Sequence, residues 1–144
     1  MKTYVLTLSK TFPKSHKRFG EETLFRDKFK KTKLHTIRAN FGLWEKRFNE
    51  IKEGKAKLSI RQWSGSPYKS KQEEIAFLSI EDGIGIQELK MIDLFRPCTI
   101  NGHKTELPLL ASNDGLSFND WYEWFKRYDL SSSLVVIHFT DFRY

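Results

Sequence analysis

The stretch Lys33-Leu34-His35-Thr36-Ile37-Arg38, continued by Ala39-Asn40-Phe41-Gly42-Leu43-Trp44, changes its period midway. The first part alternates, with Leu34, Thr36 and Arg38 on one side and Lys33, His35 and Ile37 on the other, and so predicts a strand. From about Gly42 the spacing becomes helical: Leu43, Trp44, Phe48 and Ile51 make an apolar stripe, and Gly54 is placed to stop the helix. Ala56, Leu58 and Ile60 then alternate with Lys57, Ser59 and Arg61, a strand with one apolar and one basic face that runs into Trp63.

Upstream, Tyr4, Leu6 and Leu8 alternate with polar neighbours and predict an opening strand, and a basic loop from Lys10 to Gly20 follows. From Glu21, the helical spacing of Leu24, Phe25 and Phe29 predicts a short helix, acidic at its start and closed by Lys28, Lys30 and Lys31 as the helix dipole favours. Downstream, Ser64-Gly65-Ser66-Pro67 is a turn, Tyr68 to Lys71 a basic shoulder, and Ile75 to Ile80 an apolar run. Gly83 and Gly85 mark a bend, and Asn101-Gly102 suits a tight hairpin between Cys98-Thr99-Ile100 and His103-Lys104-Thr105. Ser117-Phe118-Asn119-Asp120 opens a helix carrying Trp121, Trp124, Phe125 and Tyr128, and Leu134 to Phe139 is a closing β-rich run. Short strands interspersed with about three helices predict an α+β fold, a small mixed β-barrel with helical decoration, formed by residues 1–144 as one domain.

Composition narrows the function classes. The one cysteine, Cys98, excludes an internal disulfide and a cysteine-built zinc site, which suits a reducing, cytoplasmic setting. No apolar run approaches the roughly 18 residues of a membrane span, and the histidines His16, His103 and His138 lack metal-ligand spacing. Gly83-Ile84-Gly85 lacks the third glycine of a dinucleotide loop, so neither metal nor cofactor is expected. The charge is divided: residues 1–72 carry 19 Lys plus Arg against 6 Asp plus Glu, and residues 73–144 carry 6 against 12. Such asymmetry points to contact with a polyanion, unless the two halves neutralise one another on folding.

Lys33, Thr36 and Arg38 form a Lys-x-x-Thr-x-Arg pattern after a short helix. In this they resemble the signature strand of ASCH domains, a branch of the PUA-like superfamily. The helix Leu43 to Glu53 ending in Gly54, the strand Lys57 to Trp63 and the closing strand Leu134 to Phe139 follow in that family's order, so the resemblance covers most of the chain. It implies a PUA-like β-barrel whose cleft presents a lysine, a threonine and an arginine to RNA or a nucleoside. Within the family, small bacterial N4-acetylcytidine amidohydrolases place a catalytic Lys and Thr on this strand and a Glu just before a later helix. Lys33 and Thr36 match the first two; the carboxylate at the third place is Asp114, one methylene shorter than Glu.

The chemistry of these side chains agrees with such a site. A threonine hydroxyl becomes nucleophilic when a nearby base takes its proton, and a lysine whose pKa is lowered by desolvation or neighbouring cations can serve. A carboxylate such as Asp114 would orient that lysine or handle the leaving amine's proton. In an ideal strand, however, positions 33 and 36 face opposite ways, so their convergence requires a bulge, a bend or an entry loop.

Each candidate also has a plain alternative. Lys33 could be a charged edge residue, Thr36 a β-former, Arg38 an ion-pair partner, His35 a packed strand residue and Asp114 a turn residue. Trp44, Trp121 and Trp124 have core spacing. Arg61, Trp63, Tyr68, Lys69 and Lys71 mix aromatic and basic groups around a turn, the combination that stacks bases and tracks phosphates. The expectation is therefore an RNA- or nucleoside-binding domain with ligand contacts from Lys33, His35, Arg38, Arg61, Trp63, Tyr68, Lys69 and Lys71. Two alternatives are an amidohydrolase using Lys33, Thr36 and Asp114, and a bacterial or phage accessory domain whose aromatic surface binds another protein.

Overall fold

The computed structural model describes residues 1–144. In chain order the elements are β1 (Lys2–Thr7), α1 (Phe25–Lys28), β2 (His35–Ala39), α2 (Phe41–Lys52), β3 (Ala56–Trp63), β4 (Gln72–Leu78), a 3-10 turn (Ile80–Asp82), β5 (Gly85–Lys90), β6 (Cys98–Ile100), β7 (His103–Thr105), α3 (Leu107–Asn113), α4 (Phe118–Phe125) and β8 (Leu134–His138). They form a mixed α+β architecture with a three-stranded sheet, β1-β3-β4, and a five-stranded sheet, β2-β8-β5-β6-β7.

In the smaller sheet β1 and β3 run parallel, from Lys2 opposite Ala56 to Thr7 opposite Arg61. A parallel pair needs a long crossover, and β2 with α2 supplies it. β4 returns antiparallel, with a register shift between Ile60 and Arg61 that bends β3. Asn40 caps α2 by accepting from the Leu43 N–H at 3.1 Å. At the other end Gly54, at φ 74°, lets the Lys55 N–H reach back to the Glu50 carbonyl at 2.9 Å, the left-handed stop expected of that glycine. Trp44, Phe48 and Ile51 are the buried stripe of α2, and the helix touches β3 of one sheet and β5 and β8 of the other. It therefore lies between the sheets and joins their apolar faces into one core.

In the larger sheet, every residue of β8 is buried. It lies between β2 and β5, and a strand covered on both faces reads as a continuous apolar run. The β6–β7 hairpin turns at Asn101 and Gly102, with φ of 48° and 81°, the paired positive values a type I′ turn requires. Ser117 accepts from the Asp120 N–H at 3.2 Å and starts α4, whose Trp121 and Phe125 are buried.

Several features depart from the sequence reading, among them the helix expected from Glu21 to Lys31, of which only Phe25–Lys28 is helical because Leu24 and Lys30 take positive φ. There are four helices, because Leu107–Asn113 is helical with Pro108 in its first turn, where the missing proline N–H does no harm. β2 starts at His35, so Lys33 lies ahead of the strand. No strand pairing closes the two sheets into a barrel. The edge strands β1 and β2 are bridged instead by a side chain: Nη2 of Arg38 donates to the Thr7 carbonyl at 2.6 Å.

Candidate functional site

Lys33 is held by the turn that follows α1. Its backbone N–H donates to the Lys28 carbonyl at 2.9 Å, its carbonyl accepts from Lys30 N–H at 3.0 Å, and Lys30 takes a φ of 63° to make the turn. The next N–H, of Leu34, donates to the Asn113 carbonyl at 2.8 Å, which sets Lys33 opposite Asp114 in an isolated antiparallel bridge. Here is the entry loop that the period-two pattern demanded: because Lys33 is outside β2, its side chain need not alternate with that of Thr36.

The lysine is 1% exposed and Asp114 3%. Nζ of Lys33 donates to the Asp114 carbonyl at 2.9 Å and to Oδ1 at 2.8 Å, and it stands 4.0 Å from the centre of the Phe25 ring, within cation–π range. Burial pushes the ammonium below its ordinary pKa and Arg38 and Lys28 push the same way, against the attraction of Asp114. For Asp114, burial pushes upward but Lys33 and His35 outweigh it and hold the carboxyl below its ordinary value. The pair is an ammonium and a carboxylate in which the ammonium has become easier to deprotonate.

Gly115 makes the close approach of these segments feasible. It has a φ of 79°, and a Cβ added there would lie 2.9 Å from Cβ of Lys33. The conformation and the space both require glycine. Its carbonyl accepts from Nζ of Lys28 at 2.9 Å, which brings a second ammonium close.

Thr36 and Arg38 share the other face of β2. Nη1 of Arg38 donates to Oγ1 of Thr36 at 2.7 Å and to the Ile37 carbonyl at 3.1 Å. Thr36 is 3% exposed. Since Oγ1 accepts the guanidinium proton, its own proton is free to be given elsewhere. Burial lowers the Arg38 pKa, but a guanidinium stays charged in any protein setting.

Lys33, Thr36, Arg38 and Asp114 line one cavity together with Leu8, Ser9, Phe25, Ile37, Leu116, Trp124 and Phe125. The space it offers to a water-sized group is about 20 Å³, room for about one water, and all the space between its atoms, part of it open to solvent, comes to about 310 Å³. It sits where the two sheet edges meet the α3–α4 turn. The aromatic wall was not legible as such in the sequence: Trp124 has the helical spacing of a core residue, and only Trp121 is fully buried. Phe12 and His16 pack against Trp124 at ring-centre distances of 5.6 and 6.0 Å, so the basic loop folds over this wall.

The remaining expected ligand residues lie elsewhere. His35 is fully buried behind Asp114, with Nδ1 3.6 Å from Oδ1 and Nε2 2.6 Å from the Tyr144 hydroxyl. Arg61 donates to Oγ of Ser59 at 2.8 Å and to Oε1 of Gln72 at 3.2 Å within the small sheet. Trp63, Tyr68, Lys69 and Lys71 belong to the β3–β4 hairpin, where the Trp63 and Tyr68 rings lie 5.1 Å apart. Tyr68 is 90% exposed and has a φ of 62°, an uncommon region for a bulky residue. This hairpin does not line the cavity, so the expected ligand contacts fall in two places, Lys33 and Arg38 at the cavity and Trp63, Tyr68, Lys69 and Lys71 at the hairpin. They remain neighbours in the chain path: Nζ of Lys10, one residue beyond Ser9 of the cavity, donates to the Ser64 carbonyl at 3.0 Å.

No group of three or more potential metal-ligating side chains occurs, and no helix is long and apolar enough to cross a membrane. Comparisons with protein-family models, curated proteins and solved structures find no match to this chain.

Proposed function

We propose that this chain is an ASCH-type, PUA-like domain that receives a pyrimidine nucleoside, free or displayed by RNA, in the cavity between Lys33, Thr36, Arg38 and Asp114. The observation that carries the reading is convergence. Two cations, a hydroxyl and a carboxylate from separate segments meet in one small concavity with an aromatic wall, the combination of a few placed polar groups and apolar lining typical of small-ligand sites. The PUA-like barrel of that family would correspond here to two sheets whose edges are joined by Arg38. The cavity has room for about one water-sized group, which suits a small exocyclic substituent, and the pyrimidine ring would lie outside it.

Binding is tested by calorimetric titration with cytidine and N4-acetylcytidine. Saturable binding that disappears in Arg38→Met but survives in Lys69→Ala is the expected result. No binding of either nucleoside, together with no binding of short single-stranded RNA at low salt, overturns the reading.

A second reading, an amidohydrolase on N4-acylated cytidine, is favoured by the particular meeting of Lys33, Thr36 and Asp114. In such a reaction Lys33 in its amine form takes the Thr36 proton while Oγ1 attacks the acyl carbon. The C–N bond then breaks, Lys33 returns that proton to the departing exocyclic amine, and water hydrolyses the threonine ester to the free acid. Asp114 orients the lysine and steadies its charged form, and Arg38, already bonded to Oγ1, faces the oxygen on which negative charge develops. The lowering of the Lys33 pKa by burial favours its role as base. Release of cytidine from N4-acetylcytidine, lost in Thr36→Val, is the expected result; absence of turnover in the wild type removes this reading and leaves binding standing.

A further inference from the structure

Behind the cavity lies a chain of buried polar groups whose directions can be worked out from donors and acceptors alone. Tyr144 anchors it. Its backbone N–H donates to Oε1 of Gln87 at 3.0 Å and its carbonyl accepts from Nε2 of Gln87 at 3.2 Å. Because both partners are backbone groups of known polarity, the Gln87 amide has one orientation. The contact of 2.9 Å between that same Oε1 and Nε2 of His138 therefore requires the proton on Nε2 of His138.

The Tyr144 hydroxyl meets two groups: Nε2 of His35 at 2.6 Å and Nδ2 of Asn113 at 3.1 Å. Burial pushes its pKa upward, so it keeps its proton. Two arrangements satisfy these contacts and also give the hydroxyl proton an acceptor. In one, Asn113 donates to the hydroxyl, the hydroxyl donates to Nε2, and the neutral His35 ring carries its proton on Nδ1. In the other, the Asn113 amide is turned, His35 donates from Nε2, and Nδ1 is a bare lone pair. What faces Nδ1 decides between them: Oδ1 of the Asp114 carboxylate, 3.6 Å away. A lone pair against a buried carboxylate is repulsive, whereas an N–H directed at it is attractive and needs only a slight closing of the gap to become a hydrogen bond.

We infer that His35 is a positioning residue: the Asp114 carboxylate selects its Nδ1–H form, Asn113 and Tyr144 hold the ring from behind by supplying the donor to Nε2, and the Nδ1 proton so aimed at Asp114 holds the carboxylate where it grips Lys33. The inference rests on the proposed function for its consequence, ligand handling at Lys33, but not for its geometry. His35 thereby acquires a role distinct from the ligand contact expected of it. It acts from behind, through Asp114, and its register partner His138 closes the back of the same compartment, with the two rings 5.5 Å apart and nearly perpendicular.

The test is nitrogen-15 NMR of the histidine rings in the whole chain, with His35 assigned by a His35→Gln variant. In the wild type, His35 is expected as the Nδ1–H tautomer and His138 as the Nε2–H tautomer. In Tyr144→Phe the donor to Nε2 is gone while Asp114 still faces Nδ1, so His35 is expected to stay Nδ1–H with its Nε2 resonance moved toward that of an unbonded lone pair, with a displaced Lys33 Nζ resonance and nucleoside affinity reduced by up to about tenfold, the worth of one hydrogen bond. A merely structural tyrosine would lower stability without moving either signal. His35 found as Nε2–H in the wild type overturns the inference even if Tyr144→Phe does not fold. An unchanged His35 Nε2 resonance in a folded Tyr144→Phe overturns it equally. If no nucleoside binds while the tautomers are as expected, the proposed function fails and the positioning network stands; if nucleosides bind with His35 in the Nε2–H form, the reverse holds.

Discussion

The cavity at Lys33 and the hairpin at Trp63 hold the same kinds of side chain, lysines and aromatics, in opposite physical conditions. Lys33 is buried, bonded twice to Asp114 and laid on Phe25. At the hairpin, Lys69, Lys71 and Tyr68 are exposed. Burial makes each charge costly if its partner is removed and fixes its geometry; exposure makes each charge nearly neutral for stability and leaves it free to follow a flexible polyanion. The two regions therefore suit complementary roles, selection of a small chemical group at one and retention of an extended chain at the other.

The contrast is broken most sharply by removing Asp114. Asp114→Ala leaves the Lys33 ammonium buried without its carboxylate and is expected to cost about 3–5 kcal/mol of stability, whereas Lys69→Ala changes stability by less than about 0.5 kcal/mol. Urea unfolding of both variants measures the difference. Replacing both partners, in Lys33→Met with Asp114→Leu, is expected to restore much of the lost stability while abolishing nucleoside binding. A pair that stabilises nothing yet is required for binding marks a site kept for its chemistry.

Acid sharpens the same contrast. Burial lowers the pKa of His35, and it lowers that of His138 to about 2, so the folded chain keeps both rings neutral while the unfolded chain protonates them below about pH 6.5. Because the unfolded state then binds more protons, stability falls as pH drops below that value, by about 1.4 kcal/mol per pH unit for each ring that stays neutral. The depressed carboxyl of Asp114 adds loss in the same direction below about pH 4. Unfolding followed between pH 7 and pH 5 checks the slope; hairpin variants are expected to leave it unchanged.

Gly115→Ala probes how tightly the cavity is built. A side chain at φ 79° and 2.9 Å from Lys33 is expected to cost about 1–3 kcal/mol, measurable as a lowered Tm. The smallest effects on stability are those at the hairpin. Tyr68→Ala is expected to weaken single-stranded RNA by about 1–3 kcal/mol through lost stacking, and Lys71→Ala to lower the slope of log affinity against log salt by about 0.7, with stability unaffected in either case. Equal losses for nucleoside and RNA in the hairpin variants would contradict the division between the two regions.

How much of this was legible in the sequence follows from how local each signal is. The strand, helix and strand from His35 to Trp63, the Asn101-Gly102 turn and the Ser117 cap are set by neighbouring residues, and the structure has them. α3 was missed because its signal was only Pro108 and a short apolar spacing. The sheet organisation was not legible, since whether β1 and β2 pair or are bridged by Arg38 depends on residues that alternation does not address. At the cavity, Lys33, Thr36 and Arg38 stood out as a hexapeptide, but their convergence with Asp114 required the turn at Lys30 and the glycine at 115, neither visible in a period-two pattern. Tyr144 and Asn113 carried no signal at all. Their importance arises only from meeting His35 across the fold.

The most direct test is a titration of the nitrogen-15-labelled chain with N4-acetylcytidine, followed by amide shifts. Saturable shifts centred on Lys33, Thr36, Arg38, Gly115 and Leu116, with the hairpin amides unmoved, are predicted. Shifts confined to Trp63 through Lys71, or none at saturating nucleoside, would contradict a nucleoside site at Lys33.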